Sequence, residues 1–199
     1  MNNTFPPLMI RSARMTDWRQ LRKTVRTIFD HLDDDQTAQL LRRHHAATVV
    51  ACRGREIIGY YQFHPHAEPG VAWLNHFGVV PHNRGHGDAH TLLAFFLRHA
   101  KTCGFDSIAL DAFEGNVRAH RFYERNGFAR GTKQTHEDGI QWRFVMSLSG
   151  VVALDRSMPS IQPPNRLTRA WRRLAYGLLT ALIRVTARTS KASTRRATW

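Results

Sequence analysis

The chain has 199 residues, of which 42% are hydrophobic, and a formal net charge of +14. That length suits one domain with a core of its own plus an appendage. Two cysteines, Cys52 and Cys103, exclude a disulfide framework and a cysteine-based zinc pattern, and no run of about eighteen apolar residues is present to span a bilayer.

The charge is unevenly placed, at +5 over residues 1–149 and +9 over residues 150–199. A basic bias suits an anionic partner, and here most of it belongs to the last fifty residues. Met1 to Pro7 is polar and lacks the apolar stretch of a secretory signal. Together with the cysteine usage this predicts a reducing, cytoplasmic setting.

Leu8 to Arg11 reads as a first strand. Thr16-Asp17 can cap a helix carrying Leu21, Val25, Ile28 and Phe29 on one face. Asp33-Asp34-Asp35 reads as a turn and cap, followed by a short helix over residues 36–44. Residues 48–52 and 57–63 are strands about a turn at Gly54. Residues 71–79 form the next strand. A helix over residues 86–102 stops at Gly104, with Leu92, Leu93, Phe96, Leu97 and Ala100 on its apolar side. A strand over 108–112, a helix over 116–126 ended by Gly127, and a hairpin of 128–135 and 141–148 turned at Asp138-Gly139 complete the set. The order β-α-α-β-β-β-α-β-α-β-β predicts an α/β (α+β) domain with a mixed sheet flanked by helices.

The domain is expected over residues 1–149, followed by a proline-containing linker over 150–165. Beyond it, Leu167, Trp171, Leu174, Leu178 and Leu182 share a helical face, and Arg166, Arg169, Arg172, Arg173, Arg184 and Arg188 supply charge. Residues 166–199 thus read as a basic amphipathic helix and tail. Such a helix suits an anionic membrane surface or a protein groove, and equally a face packed on the domain or on a second copy in a homodimer. A peripheral membrane location follows from the first of these. The core lacks the aromatic and basic interleaving of an RNA-binding surface, so nucleic acid is not an expected partner.

The most informative segment is Arg84-Gly85-His86-Gly87-Asp88-Ala89, set between a strand and a helix. A helix N-terminus offers unpaired N–H groups and the positive end of the dipole, which suits a phosphate. Glycine lets the backbone approach the ligand. The Gly-Lys-Ser/Thr ending of a nucleotide P-loop is absent, and His90 stands where a dinucleotide loop needs a small residue. About thirty residues on comes Asn116-Val117-Arg118-Ala119-His120-Arg121-Phe122-Tyr123-Glu124-Arg125-Asn126-Gly127-Phe128. Arg84-x-x-Gly87-x-Ala89 resembles the acyl-CoA-binding motif of the GCN5-related N-acetyltransferases (GNAT family). Asn116-x-x-Ala119-x-x-Phe122-Tyr123-x-x-x-Gly127-Phe128 resembles that family's following helix and turn. The resemblance covers residues 8–148.

It implies a GNAT-like, mostly antiparallel sheet with a V-shaped opening between the fourth and fifth strands. It also implies acetyl transfer from acetyl-CoA directly to an amine. The amine-bearing acceptor, a small molecule or a protein, is not specified. In such a protein the backbone from Arg84 through Gly85, His86, Gly87, Asp88 and Ala89 would hold the pyrophosphate. A backbone N–H between Phe77 and Val79 would polarise the thioester carbonyl. Asp88 departs from the family's aliphatic residue, and its carboxylate would repel a phosphate unless it caps the helix. Asn116, an N-cap by position, would also contact the cofactor, and Arg125 would meet its adenosine phosphates. Tyr123 is the candidate proton donor to the leaving thiolate. The strand over 71–79 carries no carboxylate to serve as base. His76 has the right chemistry, with a satisfied sheet-surface histidine as the equal alternative. Asn75 could position a water, and Glu114 is a further candidate.

Asp33 to His45, the loop from Phe63 to Gly70 and the final hairpin would border the acceptor. The close pairs His86/His90 and His64/His66 do not reach the three or four ligands of a zinc site, so no metal is expected. The other function class that fits these residues is a non-catalytic acyl-CoA sensor or scaffold working through its basic tail.

Overall fold

The fold was taken from a computed structural model, which describes residues 6–43, 48–136 and 139–154. The elements are β1 (Leu8–Ser12), α1 (Trp18–Ile28), α2 (Asp34–Arg43), β2 (Thr48–Arg53), β3 (Glu56–Pro65), β4 (Val71–Val79), α3 (Asp88–Thr102), β5 (Ser107–Phe113), α4 (Val117–Arg125), β6 (Ala129–His136) and β7 (Gly139–Ser147). The order is the expected one. The helix expected from residue 86 begins at Asp88, because Gly87 takes a left-handed conformation as its N-cap. Asp138 of the expected final turn, the segment from residue 155 and the basic helix over 166–188 lie outside the described residues.

The seven strands run β1-β2-β3-β4-β5-β7-β6, and every pairing is antiparallel except β4 with β5. Alternation along the strands divides the core into two layers. On one face Leu21 and Val25 of α1 and Leu41 of α2 pack on Val50, Cys52, Ile57 and Tyr60. On the other, Leu92, Leu93, Phe96 and Ala100 of α3 pack on Ile58, Tyr61, Phe63, Ala72 and Leu74. Tyr123 of α4 joins that second layer beside Phe128 and Phe144. The expected helix faces are therefore the buried ones.

Short-range chemistry sets the helix starts. Asp33 accepts a hydrogen bond from the Gln36 N–H at 2.7 Å, while Gln36 Oε1 accepts from the Asp33 N–H at 2.9 Å, which is a capping box for α2. Asp34 is paired with Arg22 and Arg26 of α1. Two members of the acidic triplet thus serve a helix start and a helix–helix contact. Before α1, Asp17 accepts from the Arg14 N–H and is held bidentate by Arg11, which keeps its carboxyl below its ordinary range.

Two features open the sheet. The register between β3 and β4 slips by one, from Gln62↔His76 to Phe63↔Leu74, leaving Asn75 as a bulged residue. The parallel pairing of β4 with β5 stops at Trp73↔Ala109, immediately before the bulge. Past that point β5 keeps its full pairing with β7 and the two strands part. This is the V-shaped opening that the sequence resemblance implied.

Close packing beneath the opening depends on Gly78. A Cβ there would overlap Ile28 Cγ2 of α1. We expect Gly78→Ala to push α1 off the sheet and cost about 1–3 kcal/mol of stability, read as a lower urea midpoint with an unchanged slope.

The chain beyond residue 149 stays on the domain for at least one more turn. The Val151 N–H donates to the Leu148 carbonyl, and the Leu154 N–H donates to Thr102 Oγ1 at 2.9 Å. The Leu154 side chain is buried. No helix among the described residues is long and apolar enough to cross a membrane.

Candidate active site

The loop between β4 and α3 is built for close approach. Gly85 and Gly87 have φ of 88° and 83°, in the left-handed region where only glycine is unstrained. A Cβ on either would meet nothing within 4 Å, so both backbones are open on that side. Gly85, His86 and Gly87 are exposed and Ala89 is half-buried. The N–H groups of the first turn of α3 come next in the chain, where helical geometry leaves donors without intrahelical partners. Beside the loop, Asn83 Oδ1 is buried with no hydrogen-bond partner among the described residues.

Arg84 does not extend into the loop as a simple phosphate contact. Its Nε–H donates to the Val79 carbonyl at 2.9 Å, which folds the side chain back against the end of β4. Burial and the nearby charge of Arg118 hold its pKa below the ordinary guanidinium value. The Asp30 carboxylate acts on Arg84 in the opposite sense. Arg118 lies in the first turn of α4. Arg125, the one that the motif favoured, is exposed at the far end of α4.

Asp88 corrects an expectation. Its side chain is only 3% exposed and is held bidentate by Arg53 of β2, with contacts of 2.6 and 3.1 Å. Arg53 also donates to the Pro6 carbonyl at 2.6 Å. The carboxylate is neutralised within the fold and offers no repulsion to a phosphate at the loop. What Asp88 can give a ligand is its backbone N–H.

Asn116 is the expected N-cap, accepting from the Ala119 N–H at 3.1 Å. The buried His120 hydrogen-bonds the Phe113 carbonyl at 2.9 Å and ties α4 to the end of β5. His90 bonds Asn126 at 2.7 Å and ties α3 to the other end of α4.

These ties fix α4, and with it Tyr123, beside Phe77 of β4. Phe77 of β4 stacks on Phe122 with centroids 5.6 Å apart and meets the Tyr123 ring at 6.5 Å. Tyr123 is buried among Phe122, Phe128 and Phe144, and burial pushes its phenol well above its ordinary pKa. Val79 is buried in the layer beneath.

His76 lies on the opposite face, the one packed by α1. Its ring meets Phe29 edge-on at 5.8 Å, and its Nδ1 is 3.1 Å from Gln62 Oε1. Asn75 is the bulge residue beside it. Glu114 is paired with Lys133 at 2.6 Å, and that cation holds its pKa down. It is committed at the β6 side. Among the described residues no group of three or more His, Cys, Asp or Glu gathers as a metal site.

The sequence pattern of the Acetyltransferase (GNAT) family matches residues 11–128, which span β1 through the turn after α4. The chain belongs to the GNAT family. Its acetyltransferases use acetyl-CoA, and the open glycine loop followed by the start of α3 fits such a donor. A mycothiol acetyltransferase from Streptomyces avermitilis is 33% identical over 98 residues, or 49% of this chain and 30% of that protein. The chain therefore spans less than a third of that curated relative. Among solved structures, a GNAT-family acetyltransferase from Bacillus cereus superposes with a TM-score of 0.60 at 18% identity, covering 75% of this chain and 99% of that one. The ribosomal-protein-S18-alanine N-acetyltransferase from Escherichia coli gives 0.58 at 16%, covering 76% and 98%. These GNAT neighbours share the fold.

Proposed function

We propose that the protein is an N-acetyltransferase that moves an acetyl group from acetyl-CoA directly to an amine. The observation that carries this is the parting of β4 from β5 at Trp73↔Ala109, between His76 on one face and Phe77 with Tyr123 on the other. A donor lying in that gap would put its thioester between a group able to take a proton and a group able to donate a hydrogen bond.

Each residue then has a task. The backbone of Gly85 to Ala89 holds the pyrophosphate. An N–H of β4 between Phe77 and Val79 polarises the carbonyl as negative charge develops. His76 takes the proton of the incoming ammonium, since only the neutral amine attacks. The departing sulfur accepts a hydrogen bond from the Tyr123 hydroxyl. Burial raises the phenol further above a thiol, with reference values of roughly 10 and 8.5. Tyr123 therefore stabilises the thiolate as a hydrogen-bond donor and keeps its own proton; the second proton, lost by the nitrogen as the C–S bond breaks, passes to the departing thiolate, which leaves as free thiol. The acceptor must carry a primary or secondary amine.

The test is acetyl transfer by the full chain with acetyl-CoA and a panel of amines, polyamines, amino acids and peptide N-termini. Release of free thiol and a 42 Da gain on the acceptor (the mass of an added acetyl group) are expected together. Donor binding by calorimetry with no transfer to any amine class would sink the reading.

A further inference from the structure

The base that this proposed function uses is set in a row of side chains that crosses three strands. His76 of β4 stands opposite Gln62 of β3, and Gln62 stands opposite Thr48 of β2. Gln62 is wholly buried and Thr48 is 4% exposed. The Gln62 Nε2–H donates to Thr48 Oγ1 at 2.7 Å, and Gln62 Oε1 is 3.1 Å from His76 Nδ1.

An amide has one donating and one accepting end. With its nitrogen placed at Thr48, Gln62 presents its oxygen to His76. A carbonyl oxygen only accepts, so this placement calls for the hydrogen on Nδ1. In the neutral ring the lone pair then sits on Nε2. We propose that Gln62, oriented by Thr48, is a positioning residue that fixes His76 as the Nδ1–H tautomer and so makes Nε2 its proton acceptor.

The surroundings suit that role. Phe29 from the end of α1 packs edge-on against the ring, and it is uncharged. His31 and Tyr60 are in turn in edge contact with Phe29. The Tyr60 hydroxyl is pushed far up by burial, so it stays neutral. Its oxygen has no hydrogen-bond partner among the described residues. When His76 is protonated, Gln62 still accepts from Nδ1–H, so the contact survives the proton transfer. A tautomer held in advance also spares the ring a rearrangement at the moment of reaction.

This inference rests on the transferase reading for its purpose, but its first readout does not need activity. In the full chain labelled with 15N, long-range 1H–15N spectra above the imidazole titration report the tautomer of His76. The Nδ1–H form is expected. Thr48→Val, which is nearly isosteric, frees the amide to turn, and a mixture of both tautomers is expected with about a tenfold fall in kcat/KM. Gln62→Glu keeps an acceptor opposite Nδ1 and adds charge. It should retain the Nδ1–H form and move the acidic limb of the pH–rate profile upward by about one unit. A wild-type His76 in the Nε2–H form overturns the proposal, and so does a tautomer unchanged by both Thr48→Val and Gln62→Leu. A chain with the Nδ1–H form that transfers acetyl to no amine refutes the transferase reading and leaves the Gln62 assignment supported.

Discussion

Tyr123→Phe should lower kcat by about a hundredfold while the KM for acetyl-CoA moves by less than threefold. The ring stays among Phe77, Phe122, Phe128 and Phe144, so the packing that positions α4 is kept. Only the hydroxyl is lost, and with it a hydrogen bond that matters where charge appears on sulfur. Removing one such donor from a developing anion costs roughly 10²–10³ in rate. The split between kcat and KM is the telling quantity, because ground-state binding of the donor depends on the loop and not on the phenol. A buried aromatic with no part in the chemistry would leave kcat within a factor of two. A sensor that binds acyl-CoA without turning it over would lose neither binding nor response. Steady-state kinetics and donor calorimetry on the one variant separate these cases. Because the Tyr123 hydroxyl is held protonated by burial, no basic limb in the pH profile should belong to it below about pH 10.

Arg53→Ala should destabilise the domain, read as a lower urea midpoint. It would leave the Asp88 carboxylate, 3% exposed, without its bidentate partner at the first turn of α3. Removing one side of such a pair leaves the other charge uncompensated. Part of that cost is relieved here because the helix N-terminus itself favours a carboxylate. The paired replacement Arg53→Met with Asp88→Leu should recover most of the loss, since neither buried charge remains. Urea unfolding of the three proteins tests this. Recovery in the double variant identifies the penalty as unpaired charge, whereas an additive loss would mean that the two residues act independently. Arg53→Ala should also weaken donor binding several-fold, because the anchor that fixes the start of α3 also fixes the donors of the glycine loop.

Much of this site is legible in the chain because it is local. Arg84-x-x-Gly87-x-Ala89 can be read as a loop and helix start, since the glycines and the apolar face of α3 lie within twenty residues of one another. Asn116 reads as an N-cap for the same reason, and it is one. Tyr123 sits where the following helix must bury its aromatic side. What stays hidden depends on partners distant in sequence. Asp88 looks like a liability until Arg53, thirty-five residues earlier, is brought to it by the register of β2 and the seating of α3. Arg118 and Arg125 cannot be ranked from spacing, because the choice turns on where α4 docks. The row of Thr48, Gln62 and His76 needs two strand registers at once, and a slip of one residue in either would scatter it. The bulge at Asn75 leaves no mark in composition, although it decides where the sheet opens.

The parting of β4 from β5 also divides the sheet mechanically. Among the described residues, three parallel pairs, Val71↔Ser107, Ala72↔Ile108 and Trp73↔Ala109, make the strand pairing between the four-stranded part and the three-stranded part. Segments with few bonds between them can open as separate cooperative units, each with its own protection against amide exchange. A donor laid in the gap would touch both and join them, so its binding should register far from the site, as slowed exchange in β5 and β7. The opening that admits the ligand would then be the seam along which the empty protein most readily comes apart.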